Sequence, residues 1–156
     1  PAWEQLGEAA SGTVLPQKET FKAKLAPKLI RSIHQIKRNL ETTAEKVLDA
    51  RSRGRFEGVE AEPRKGLKSG RIPKSFNLPY TQVYDSKTKL FLSADKLSKL
   101  FSSTGIDPDA SIVTSCGSGV TACNLALALY LTGNRDAAVY DGSWTEWASS
   151  TGAPIE

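Results

Sequence analysis

Phe21, Ala23 and Leu25 alternate with Lys22, Lys24 and Ala26 ahead of Pro27, the period-two pattern of a half-buried strand, which predicts an edge strand beginning at Thr20. Ile30, Ile33, Ile36 and Leu40 then recur at helical spacing with basic residues on the other faces, and this predicts an amphipathic helix with His34 beside its apolar stripe. A short strand over Lys46 to Asp49 leads into a long loop, 50–71, rich in Gly, Arg and Glu; loops of that length usually carry function. Residues 76–78, before Pro79, read as another short strand, and Ser93 stands where it can cap a helix whose apolar residues are Leu97, Leu100 and Phe101. Gly105 ends that helix. The clearest unit comes next: a β-branched strand 111–115, a turn 116–119, a helix 120–132 stopped by Gly133, and a strand 137–140, which together make a βαβ unit. Ser143 and Glu146 have the spacing of a capping box and predict a short last helix over 144–149. Strands alternating with helices predict an α/β domain on a mainly parallel central sheet flanked by helices.

Composition adds bounds rather than detail. The 156 residues suit one domain, and 39% hydrophobic with 24% charged residues excludes disordered, collagen-like and membrane classes. The longest apolar-rich run, 122–131, is interrupted by Cys123 and Asn124 and falls far short of the ~20 residues of a membrane span. The net charge of +4 is local: Lys18, Lys22, Lys24, Lys28, Arg31, Lys37 and Arg38 stand against the single acid Glu19. We read this segment as a solvated face, which does not call for direct nucleic-acid binding. Two cysteines and one histidine are too few for a four-ligand zinc site or a disulfide framework, so no metal is expected and a reduced compartment, cytoplasmic or mitochondrial, fits. Residues 1–19, rich in Ala, Gly, Ser and Pro, read as a tail or linker, and no basic flank followed by an apolar core marks a signal peptide. With no methionine and Pro1 at its start, the chain is expected to be a fragment.

The chemistry concentrates in Cys116-Gly117-Ser118-Gly119-Val120-Thr121-Ala122, between strand and helix. Two glycines let the backbone curl so that N–H groups point inward, and the positive end of the following helix lies beneath the same cradle. A thiol has an ordinary pKa of about 8.5, and a helix N-terminus favours its ionised form, so Cys116 is the candidate nucleophile. A tyrosine-phosphatase loop needs an Arg six residues after its Cys, where this chain has Ala122. A Cys-His protease needs an imidazole on the thiol, whereas His34 belongs to an early helix and reads as structural or surface.

The loop, together with Asp49-Ala50-Arg51, Gly54-Arg55-Phe56, Glu62-Pro63-Arg64, Gly70-Arg71-Ile72-Pro73, Asn77-Leu78-Pro79 and Asp141-Gly142-Ser143-Trp144-Thr145-Glu146-Trp147, resembles the C-terminal rhodanese domain of the thiosulfate/3-mercaptopyruvate sulfurtransferase family, from about Phe21 to Gly152. Gly117 and Ser118 are of the mercaptopyruvate type, whereas thiosulfate enzymes usually carry basic residues there. The stretch Gly70-Arg71-Ile72-Pro73-Lys74 departs from the family's usual Gly-His-Ile-Pro-Gly. The resemblance implies a rhodanese-like three-layer α/β fold, with 20–156 as the catalytic domain and 1–19 as the tail of an N-terminal rhodanese domain; Trp3 followed by Gly7 echoes the 147–152 ending. It implies sulfur transfer through a Cys116 persulfide, with a proton relayed by Ser118. Arg55 and Arg64 would bind the carboxylate and carbonyl of 3-mercaptopyruvate, with Gly117, Gly119, Val120 and Thr121 forming the cradle. Taken without the resemblance, both arginines also read as surface ion-pair partners of Glu57, Glu60 or Glu62, and for Arg64 that is the favoured reading.

No cofactor is implied. The implied partners are a thiol acceptor such as thioredoxin, a ubiquitin-like sulfur carrier, and the N-terminal rhodanese domain, whose Asp and His would join the loop serine in proton transfer, so that this chain alone is expected to turn over slowly. Alternatives are a thiosulfate sulfurtransferase, a sulfur carrier in tRNA thiolation, and a non-catalytic rhodanese binding module. Asp49 and Arg51 are expected to brace the loop, and Cys123, Trp144 and Trp147 to pack in the core.

Overall fold

Five short strands line up side by side in one sheet: β1 (Ile30–Arg31), β2 (Lys46–Asp49), β3 (Phe76–Asn77), β4 (Ile112–Ser115) and β5 (Ala138–Tyr140). The computed structural model describes residues 17–156 together with Gly7, Gly12, Thr13 and Leu15; the expected echo at Trp3 lies outside the described residues. The spatial order is β1-β5-β4-β2-β3, and every pairing in it is parallel. One isolated antiparallel bridge joins Tyr84 and Phe91 outside the sheet.

Helices cover both faces: α1 (Ile33–Thr42), α2 (Arg53–Phe56), α3 (Ala94–Ser103), α4 (Ala122–Leu131) and α5 (Ser143–Ser149). A parallel sheet covered twice needs central strands that are apolar on both sides, and β4 is buried at all four positions. Neighbouring strand residues point to opposite faces. Leu48 and Ile112 accordingly pack with Leu97 and Phe101 of α3 and Leu125 and Leu129 of α4. Val47 and Val113 pack on the other side with Ile36 of α1 and Trp144 and Trp147 of α5. The three layers are those of the rhodanese-like α/β domain expected from the sequence, with an all-parallel sheet.

The ends of the elements differ from the sequence pattern in three places, each for a local reason. Residues 20–26 form no strand, and Phe21 and Leu25 are 90% and 73% exposed. The edge of β5 is taken instead by Ile30 and Arg31, placed there by a single 3-10 turn that opens at Pro27. Ile30 therefore belongs to a strand, and α1 starts at Ile33, where Gln35 Oε1 accepts the Ser32 N–H at 2.8 Å. Ser143 and Glu146 do not form a capping box: the Glu146 carboxylate accepts the Tyr140 hydroxyl at 2.7 Å, and Ser143 turns toward the loop after β4.

The register brings Asp49, at the end of β2, beside Ser115, at the end of β4. The loops leaving these two central strands are thus delivered to the same spot, outside the carboxyl ends of the strands, where open α/β sheets commonly bind ligands.

Candidate active site

Cys116 leaves β4 directly and is buried. Its backbone N–H donates to Ser143 Oγ at 3.1 Å, and that hydroxyl donates onward to the Tyr140 carbonyl at 2.8 Å. Its carbonyl accepts the Trp144 N–H at 2.9 Å, while the Gly117 carbonyl accepts the Thr145 N–H at 3.0 Å and the Thr145 hydroxyl at 2.6 Å. The first N–H groups of a helix have no partner within it, and α5 uses them to hold the loop that carries the thiol. Within that loop the Ser118 N–H donates to Cys116 Sγ at 3.4 Å. The two glycines serve different needs. Gly119 has φ +82°, and a Cβ there would lie 2.7 Å from the Asp141 carbonyl oxygen; a Cβ on Gly117 would lie 2.9 Å from Arg55 Nη2.

The loop after β2 supplies the facing wall through a buried charge cluster. Arg51 grips Asp49 through Nε and Nη2 at 2.9 and 2.7 Å, donates to the Gly70 carbonyl at 2.8 Å, and reaches Glu62 at 2.8 Å. Its guanidinium also lies 4.4 Å from the Trp144 ring centre. Complete burial pushes the Asp49 carboxyl above its ordinary value, against the hydrogen bonds and charge of Arg51. Glu62 in turn holds Arg55 through Nη2 at 2.6 Å and Nε at 3.2 Å. Burial works against the charge of Arg55, but the Glu62 hydrogen bond and charge outweigh it and hold this guanidinium above its ordinary value. Arg64 comes from the same loop and donates to the Thr145 hydroxyl.

These elements enclose a cleft of about 280 Å³ lined by Cys116, Gly117, Ser118, Val120, Thr121, Arg55 and Arg64, so all the predicted site residues meet there except Gly119, which shapes the loop from behind. Glu62, Pro63, Leu67 and Thr145 line it too. Thr145 bears no mark in the sequence because its part depends on a fold-level approach of α5 to the loop. Asp49 and Arg51 brace the loop and Trp144 and Trp147 are fully buried, as expected. His34 is exposed on α1, away from the cleft lining. Cys123 departs from expectation: it is exposed on the first turn of α4, its Sγ 3.5 Å from the Gly119 carbonyl. The apolar run that suggests core extends right round α4, and its outward side carries Cys123 with the exposed Leu127 and Tyr130. Among the described residues no group of His, Cys, Asp and Glu is arranged to hold a metal ion, and no helix is long and apolar enough to cross a membrane.

Fold and site together define a parallel α/β domain that presents one cysteine from a backbone cradle between strand and helix. Residues 32–150 match the Rhodanese-like domain family, and the chain belongs to it. Over 137 residues it is 47% identical to "Thiosulfate/3-mercaptopyruvate sulfurtransferase 1, mitochondrial" of Arabidopsis thaliana, covering 88% of this chain and 36% of that protein. It is 43% identical to the 3-mercaptopyruvate sulfurtransferase of Homo sapiens, covering 88% of this chain and 46% of the relative. Among solved structures, the yeast mitochondrial complex I sub-stoichiometric sulfur transferase subunit superposes with a TM-score of 0.79 at 37% identity, over 94% of this chain and 52% of that one. The chain thus spans less than half the length of these two curated relatives.

Proposed function

We propose that this chain is the sulfur-accepting domain of a sulfurtransferase, taking sulfur from 3-mercaptopyruvate onto Cys116. The observation that carries the reading is the meeting, in one small cleft, of the Cys116 thiol with two guanidinium groups, Arg55 and Arg64, and with a loop free of cationic side chains. The substrate is a monoanion whose carboxylate and carbonyl suit guanidinium donors. The names of the 47% and 43% identical relatives support the same class of chemistry.

In this reading the Cys116 thiolate attacks the sulfur of mercaptopyruvate. An S–S bond forms, the C–S bond breaks, and its electron pair passes into the enolate of pyruvate. A proton then converts the enolate to pyruvate; the Ser118 hydroxyl, exposed at the cleft, is the group of this chain suited to relay it. The persulfide on Cys116 is cradled by the loop amides, as its thiol already is by the Ser118 N–H. Attack by an acceptor thiolate on the outer sulfur restores Cys116. A small redox protein such as thioredoxin, or a ubiquitin-like sulfur carrier, supplies that acceptor, and a second rhodanese domain completes the cleft wall. The mitochondrion named for the Arabidopsis relative is consistent with a reduced compartment.

Mixing the protein with one equivalent of 3-mercaptopyruvate and no acceptor tests the reading. It predicts release of one equivalent of pyruvate, lost in Cys116→Ser, and slower release of sulfite from thiosulfate. Absence of pyruvate, or faster reaction with thiosulfate, contradicts it; the latter favours the thiosulfate half of the Arabidopsis relative's name.

A further inference from the structure

Glu62 is an unusual wall for an anion-binding cleft: its carboxylate lines the cleft beside Cys116, and its side chain is only 2% exposed. Its two oxygens are divided between Arg51 at 2.8 Å and Arg55 at 2.6 Å. Arg51 is also held by Asp49, so the cluster Asp49, Arg51, Glu62 and Arg55 contains two carboxylates and two guanidiniums and cancels its own charge. Arg64 is left as the cleft cation with no carboxylate partner among the described residues, its bond going to the neutral Thr145. Glu62 also fixes which part of Arg55 a ligand can use. Nε and Nη2 are committed to the carboxylate, with Nη2 on the side where a Cβ on Gly117 would fall, and Nη1 takes no partner among the described residues.

We propose that Glu62 is a specificity-determining and positioning residue: by neutralising Arg55 and occupying one edge of its guanidinium, it sets the cleft to accept a monoanionic carboxylate in preference to a dianion. The inference rests on the sulfurtransferase reading for the identity of the ligand but not for its charge. Two uncancelled arginines would favour a doubly charged oxyanion; one uncancelled arginine, assisted by a single donor from the other, favours a singly charged one. The repulsive element here is the buried carboxylate itself, which a dianion would approach at close range in a poorly screened site.

The test reads ligand binding without turnover. Protection of Cys116 from iodoacetamide is titrated with pyruvate, a monoanion, and with sulfate, a dianion, in the wild type, Glu62→Gln and Glu62→Asp. The wild type is expected to be protected at lower concentrations of pyruvate than of sulfate. Glu62→Gln keeps a hydrogen-bonding partner for Arg55 and removes the charge; it shifts the ratio of the two half-protecting concentrations toward sulfate by about tenfold or more. Glu62→Asp keeps the charge and shortens the reach, so both ligands weaken while the ratio stays within about twofold. An unchanged ratio in Glu62→Gln overturns the proposal and leaves Glu62 a structural brace. If that variant does not fold, the wild-type order decides, and sulfate protecting better than pyruvate overturns the proposal. Failure of the sulfurtransferase reading shows separately, as absence of pyruvate release from mercaptopyruvate by a wild type that still shows this protection pattern.

Discussion

Ser143 holds Cys116 by its backbone: the serine hydroxyl accepts the cysteine N–H at 3.1 Å and donates its own hydrogen bond to the Tyr140 carbonyl at 2.8 Å, so one buried side chain ties the end of β5 to the start of the cysteine loop. To do this Ser143 adopts φ +50°, a conformation uncommon for a residue with a Cβ. Replacing it by Ala leaves the buried Cys116 N–H without an acceptor, a loss of about 1–3 kcal/mol. Ser143→Gly loses the same bond but relieves the backbone and is expected to fall between wild type and Ala. Urea denaturation of the three proteins checks the order, and an Ala variant as stable as wild type would contradict it.

Arg51 is braced on every side, by Asp49, Glu62, the Gly70 carbonyl and the Trp144 ring. Arg51→Ala strands the buried Asp49 carboxylate and leaves Glu62 with Arg55 as its remaining guanidinium partner, and is expected to cost about 3–5 kcal/mol. Arg51→Lys keeps the charge but not the fork that reaches Asp49 and Glu62 together, so it recovers only part of that loss. Equal stability of the Lys variant and wild type, by the same denaturation, would show that charge alone suffices.

The two loop glycines separate binding from folding. Gly117→Ala meets only the flexible end of Arg55, so the melting temperature is expected to stay near wild type while pyruvate protects Cys116 less well. Gly119→Ala meets the Asp141 carbonyl at φ +82° and is expected to lose about 1–3 kcal/mol. Thermal melts set beside the protection titration distinguish the two, and a reversed pattern would mean that the roles are exchanged.

How much of the molecule is legible in its sequence depends on how local each cause is. The βαβ unit and the cysteine-bearing turn are readable because β-branched residues, paired glycines and Gly133 act within a few positions of one another. The strand expected from Phe21, Ala23 and Leu25 does not form because alternation states only that a segment could pair, and the free edge of β5 goes to Ile30 and Arg31. Cys123 reads as core because α4 is apolar all round, which hides the side that faces outward. Ser143 and Thr145 carry no local mark of their roles, since their partners lie 27 and 28 residues away.

Acid sensitivity has an identifiable source at Glu156, whose carboxylate accepts from Arg71 at 2.6 Å and is thereby held below its ordinary value, with the Lys74 N–H adding to the effect. A carboxyl whose value is lower in the folded than in the unfolded chain contributes stability above its unfolded value, and that contribution is lost as the pH falls through the folded one. Glu156→Gln is therefore expected to lower stability at neutral pH and to flatten its decline in acid. Parallel denaturation curves for the two proteins across pH 3 to 7 would contradict this assignment.

The central claim is that sulfur is directed to Cys116, which is buried, although Cys123 is the exposed thiol. Fragment-ion mass mapping after brief treatment with 3-mercaptopyruvate tests it most directly. The account predicts one additional sulfur atom on Cys116 with Cys123 unmodified; sulfur on Cys123 alone, or on neither cysteine, would contradict it.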